Sequence, residues 1–208
     1  MPYRFLAALA LCVAAFADSP LTSTDIAAAY KDQPVVAKAL AMKASDDEIL
    51  RFLADSKVAL EFKIAAINAN GWRLPSERES NSMRLFNQIN ADNRYKNFDE
   101  FLNGASGEEL ICVAYLRAIE MYDYHHKIGD KTVAIARLAK RKSPQSYAVN
   151  IVAALIEAQQ AFDSDWCEVY AIADRLRRDS SLIKDMRDEA IANIFEYMDL
   201  YGEECDGG

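Results

Sequence analysis

The chain has 208 residues, with 24 lysines and arginines against 32 aspartates and glutamates, for a formal net charge of −8. That sign makes nucleic acid and anionic membrane surfaces poor partners, because both repel an acidic protein, whereas a basic protein partner is attracted.

The first segment, MPYRFLAALALCVAAFADSP, sets Arg4 ahead of an apolar run from Phe5 to Ala17 that is too short to span a bilayer. It reads as a secretory signal peptide. Ala15-Phe16-Ala17 supplies the small-x-small cleavage pattern, so residues 1–17 are expected to be removed and 18–208 to form a single domain in the periplasm or outside the cell. Lipoprotein anchoring at Cys12 would need a small residue before the cysteine, and Leu11 stands there. Without Arg4, 23 basic and 32 acidic residues leave a net charge of −9. No later run approaches the roughly 20 apolar residues of a membrane-spanning helix.

Beyond the leader, apolar residues recur at three and four residue spacing and alanine and leucine abound, which predicts an all-α protein. Helices are expected over 24–32, 34–43, 46–54, 57–70, 77–90, 98–103, 107–128, 131–142, 144–161, 164–178 and 182–201. Pro34 suits the first turn of the second of these, where its missing N–H costs nothing. Ser45 with Glu48, Ser76 with Glu79, and Ser106 with Glu109 fit the S-x-x-E capping box, which satisfies orphaned amides at a helix start. Ser143-Pro144 and Ser181 are read as further starts. Gly71, Gly104, Gly129 and Gly202 follow periodic runs, as a left-handed residue just past a helix end would.

Short links between about ten helices predict close antiparallel neighbours, most naturally an α-α superhelix or solenoid. Phe62-Lys63-x-x-Ala66-Ile67 and Met186-Arg187-x-x-Ala190-Ile191 share one pattern, as a helical repeat would.

The two histidines stand side by side in EMYDYHHKIGD, residues 120–130. Neighbouring residues point about 100° apart on a helix, whereas a helical metal site wants i and i+4. His125, His126 and Lys127 instead suit the carbonyl end of a helix, with Asp123 paired to Lys127. Tyr124, His125 and His126 then form an exposed helix end able to touch a partner or respond to pH. Trp72 and Arg73 join the residue types most enriched at interface hot spots, although a large ring after Gly71 also suits packing back on its own helix.

No cofactor or metal motif is legible. Ser181-Leu182-Ile183-Lys184 matches S-x-x-K without the companion motifs of the penicillin-recognising enzymes, and Gly129-Asp130-Lys131-Thr132 lacks the upstream glycine of a phosphate loop. The charge runs Lys140-Arg141-Lys142 and Arg175-Arg177-Arg178 fall where helix dipoles favour cations. Of the cysteines past the leader, Cys112 sits among apolar residues as a buried thiol. Cys167 and Cys205 remain to form a disulfide that closes the C-terminal helical hairpin, the alternative being an intermolecular bond, since three cysteines leave one thiol over.

These features together read as an exported helical protein that binds another macromolecule, such as an envelope scaffold, an adaptor or an inhibitor of a basic protein. The competing expectation is an envelope hydrolase or metal-dependent enzyme using His125 or His126 with nearby carboxylates.

Overall fold

The computed structural model describes residues 19–71, 80–125 and 127–205, with only the backbone described at 122–125. Among the described residues the protein is an all-α array of ten α-helices. They are α1 (Pro34–Leu40), α2 (Asp46–Ala54), α3 (Leu60–Asn70), α4 (Asn81–Ile89), α5 (Phe98–Gly104), α6 (Gly107–His125), α7 (Asp130–Lys142), α8 (Tyr147–Ala161), α9 (Trp166–Arg177) and α10 (Asp188–Met198). A 3-10 turn at Ala27–Tyr30 precedes them, and a 3-10 segment at Asp199–Cys205 follows. No described helix is long and apolar enough to cross a membrane.

Two of the three capping boxes form, at least at the serine. The Ser45 hydroxyl accepts from Glu48 N, and Ser106 exchanges bonds with Glu109 in both directions. Pro34 stands at the first position of α1 behind Gln33. The third box, Ser76 with Glu79, lies outside the described residues. The helix expected from 77 begins at Asn81, with Ser80 as its cap accepting from Met83 N.

Two other starts are corrected in the same way. Ser146, rather than Ser143-Pro144, caps α8 by accepting from Val149 N. Ser181 caps no helix: its amide and hydroxyl both donate to Asp179, and α10 starts seven residues later. The intervening stretch is held extended because Ile183 N donates to Gln145 O and Ile183 O accepts from Tyr147 N, while Asp185 accepts from Ser146 Oγ and Ala148 N. Tertiary bonds to the front of α8 thus replace the helix its sequence favours. The two repeat-like segments accordingly differ: Phe62-Lys63 lies inside α3, whereas Met186-Arg187 precedes α10.

None of the described glycines has a positive φ. Gly71 is right-handed, Gly104 ends α5, Gly129 is the extended cap before α7, and Gly202 lies in the closing 3-10 segment. Gly107 is needed for a different reason: a Cβ there would meet the Ala139 carbonyl oxygen at 2.8 Å, so α6 can begin against the end of α7 only without a side chain. At the same junction Lys142 Nζ donates to Asn103 O and Ala105 O at 2.6 and 2.7 Å, satisfying carbonyls at the end of α5.

The core runs through α6 and α8. Leu110, Ile111, Val113, Ala114 and Tyr115 on α6 and the Ala148–Ile156 stretch on α8 are buried all round, as expected for helices covered on every side. Cys112 belongs to this layer at 2% exposure. Neighbour stacking joins α6 to α7, α7 to α8 and α8 to α9, as in a row of helical hairpins. Contacts also reach across the row, from α3 to α8 and from α10 back to the opening 3-10 turn.

Candidate binding surface

Of the residues singled out from the sequence, Trp72, Arg73 and His126 lie outside the described residues, as do the side chains of Asp123, Tyr124 and His125. Lys127, expected to pair with Asp123, lies 4.0 Å from Asp163 Oδ2, with both side chains mostly exposed. Among the described residues no three of His, Cys, Asp and Glu converge as metal ligands would.

The cysteine expectation leads to the surface with the most distinctive chemistry. Cys167 at the start of α9 and Cys205 at the end of the closing segment form a disulfide, with Cα atoms 4.7 Å apart. Asp165 begins α9, its carboxylate accepting from Glu168 N at 2.9 Å. The next residue, Trp166, donates its indole N–H to Phe162 O at 2.9 Å, which fixes the ring over the α8–α9 turn. Phe162 and Tyr201 support it, with ring centroids 6.4 and 6.3 Å away. Despite that support Trp166 is 49% exposed. Asp163, Asp165 and Glu204 line the shallow depression beside it.

The disulfide therefore does more than restrain a tail. It anchors the closing segment, and with it Tyr201 and Glu204, against a tryptophan whose polar atom is already satisfied. The ring itself stays half exposed, with carboxylates alongside it. Trp166 is not among the residues singled out from the sequence. The useful signal was a tryptophan between a helix-capping aspartate and a paired cysteine.

A larger cleft, of about 620 Å³, opens between the α2–α3 link and the extended segment before α10. Four of its charged lining residues are engaged within the protein. Tyr30 Oη donates to Glu61, Lys184 pairs with Asp188, Asp185 holds the front of α8, and Arg187 holds Asp32. Of these, the Arg187–Asp32 pair ties the two ends of the array together.

Glu120 of α6 is a buried carboxylate with a structural task. It accepts from Ser82 N at 3.1 Å and Ser82 Oγ at 2.8 Å, anchoring the start of α4, and burial raises its pKa above the ordinary carboxylate range. Burial likewise pushes the Cys112 thiol up to about 12, so it stays protonated and unreactive near neutral pH.

Compared with known protein families, curated proteins and solved structures, the chain matches none.

Proposed function

We propose that this is an exported helical binding protein whose disulfide-braced end receives a basic region of a protein partner. The observation that carries the reading is Trp166: a large ring half exposed, with its N–H satisfied internally, beside Asp163, Asp165 and Glu204. A lysine or arginine laid on such a ring gains a cation–π attraction of about 0.5–1 kcal/mol at an exposed site, and the carboxylates favour the same sign of charge. Tryptophan is also the side chain most often found carrying the energy of an interface. The acidic balance of the whole chain adds longer-range attraction for a basic partner. Export is supported by the apolar leader and by the disulfide, which persists in oxidising compartments.

The test is affinity capture from the native envelope fraction with the chain from Asp18 onward, repeated with Trp166→Ala and with Asp163→Asn/Glu204→Gln. The expected catch is a basic protein released by salt and lost from both variants. Equal retention by wild type and variants, or nothing above background, removes the reading.

A further inference from the structure

The geometry points to a second ligand site on another face: the groove between α4, α5, α6 and α7 seats a single-chain fatty acid, with its carboxylate between Arg117 and Lys131. This site shares no residue with the disulfide-braced end and does not depend on the function proposed for it.

The groove has a volume of about 590 Å³, inside the roughly 300–1,000 Å³ typical of small-ligand sites between helices. Its floor is apolar: Met83 from α4, Phe98 and Leu102 from α5, and Ile135 and Leu138 from α7. Phe98 is held edge-on to Phe86 at 5.3 Å, so this floor is part of the packed core rather than a loose flap. On α7, Lys131, Ala134, Leu138 and Arg141 follow i, i+3, i+7, i+10 spacing and share one face. An apolar strip therefore runs between two cations about 15 Å apart, from ten residues at 1.5 Å each.

Charge gives the groove a direction. Arg117 donates Nε to Thr132 Oγ1 at 3.2 Å, which sets its guanidinium beside the Lys131 end of the strip. Arg117 also attracts the buried Glu120 carboxylate of its own helix, whereas Lys131 and Arg141 form no ion pair among the described residues, although the chain as a whole is acidic. Asp99 is the one carboxylate in the lining. Two cations at one end of an apolar strip, Lys131 and an Arg117 that also attracts Glu120, match a carboxylate head followed by an alkyl tail. Ten residues line the groove, against the roughly 20 to 30 that each side of a stable protein interface contributes, so a small amphiphile fits better than a protein segment.

Isothermal titration of the chain from Asp18 onward with dodecanoate, below its micellar concentration, tests the proposal. One saturable site is expected. Decanoate should bind more weakly, by up to about fifteenfold for two buried methylenes, and dodecyltrimethylammonium should not saturate the site. Lys131→Gln, an exposed change that spares folding, should weaken dodecanoate by about threefold, and Arg117→Gln/Lys131→Gln by about tenfold, with Arg141→Gln affecting it least. Absence of saturable heat overturns the proposal. So does equal binding of the cationic amphiphile, indifference to Lys131→Gln, or saturable binding of an acidic amphipathic peptide in place of dodecanoate.

Discussion

The guanidinium of Arg187 holds both carboxylate oxygens of Asp32, with Nη1 to Oδ1 at 2.6 Å and Nη2 to Oδ2 at 2.9 Å, across a separation of 155 residues. The same side chain donates to Ala29 O at 2.8 Å and lies 4.7 Å over the Tyr30 ring. Its backbone N–H donates to Tyr30 Oη, which in turn donates to Glu61. One residue before α10 thus binds the opening turn through its fork, its ring contact and its main chain. This is the closure that carries the array beyond a row of neighbours.

That pair predicts a specific acid response. The hydrogen bonds from Arg187 hold the Asp32 carboxyl at about 2, below its ordinary 3.8. A depressed folded pKa contributes stability that is complete above the unfolded value and disappears as pH falls through the folded one. Asp32→Asn should therefore lower the urea midpoint at neutral pH and converge on wild type as pH falls from about 4 to about 2. A difference that stays constant across that window would contradict the assignment. Because the pair is largely solvent-exposed, the neutral-pH gap should shrink in high salt. Arg187→Ala should be more damaging than Asp32→Asn, since it also removes the contacts to Ala29 and Tyr30.

The Cys167–Cys205 bond closes a segment with a sequence separation of 38. Loop-closure entropy alone gives about 3–4 kcal/mol for that length, which corresponds to a fall in Tm of about 6–16 °C when the bond is lost. Cys205→Ser and reduction by dithiothreitol should produce the same drop in thermal melts. Cys112 should not react with a thiol reagent at mildly alkaline pH until the chain unfolds, because it is buried and its pKa lies near 12. A fast-reacting thiol in the oxidised native chain from Asp18 onward would refute the pairing.

Helix identity was legible from periodicity, and several starts from single residues such as Ser45, Ser106 and Pro34, because caps are local chemistry. The disulfide was legible by elimination, Cys112 being too apolar in setting to share it. The 181–187 stretch was not legible. Leu182, Ile183 and Met186 carry a helical rhythm, but Gln145, Ser146 and Tyr147 offer it bonds that no local pattern discloses. Trp166 was hidden for a related reason: a tryptophan's exposure depends on where the closing segment lands, and that is set by a cysteine 38 residues away.

The glycine expectation failed in a way that yields a stabilising change. The left-handed position at the end of α1 is Met42, with φ of 56°. Lys43 N donates to Lys38 O and Met42 N to Ala39 O, the paired bonds of a Schellman ending in which glycine is the usual occupant. Met42 is 77% exposed, so its side chain contributes little packing to offset the strained backbone. Met42→Gly should raise stability by about 0.5–1 kcal/mol, read as a higher urea midpoint with an unchanged denaturant slope. A loss of stability would mean that Met42 makes a contact worth more than the strain.

Asn68 should be among the least replaceable polar residues. From α3 its Oδ1 accepts from Ala27 N at 2.9 Å, while its Nδ2 donates to Thr24 O at 2.9 Å and to Tyr115 Oη at 3.2 Å. It thus joins the opening turn to the fully buried Tyr115 of α6, whose hydroxyl burial pushes up to about 12. Asn68→Ala orphans Ala27 N, while Thr24 O keeps Ile26 N and Tyr115 Oη keeps Leu21 O, so the loss should be about 1–3 kcal/mol. Asn68→Asp separates the two halves of the network: it keeps the acceptor for Ala27 N but replaces the donor facing Thr24 O with a second acceptor. It should therefore also destabilise, and more so as pH rises through the carboxylate range, because the ionised form is the one that meets the Thr24 carbonyl unfavourably. Chemical denaturation of both variants at acidic and neutral pH decides the matter. A loss in Asn68→Asp equal to that of Asn68→Ala would show that the bond accepted from Ala27 N carries none of the effect, and a pH-independent loss would contradict the clash with Thr24 O.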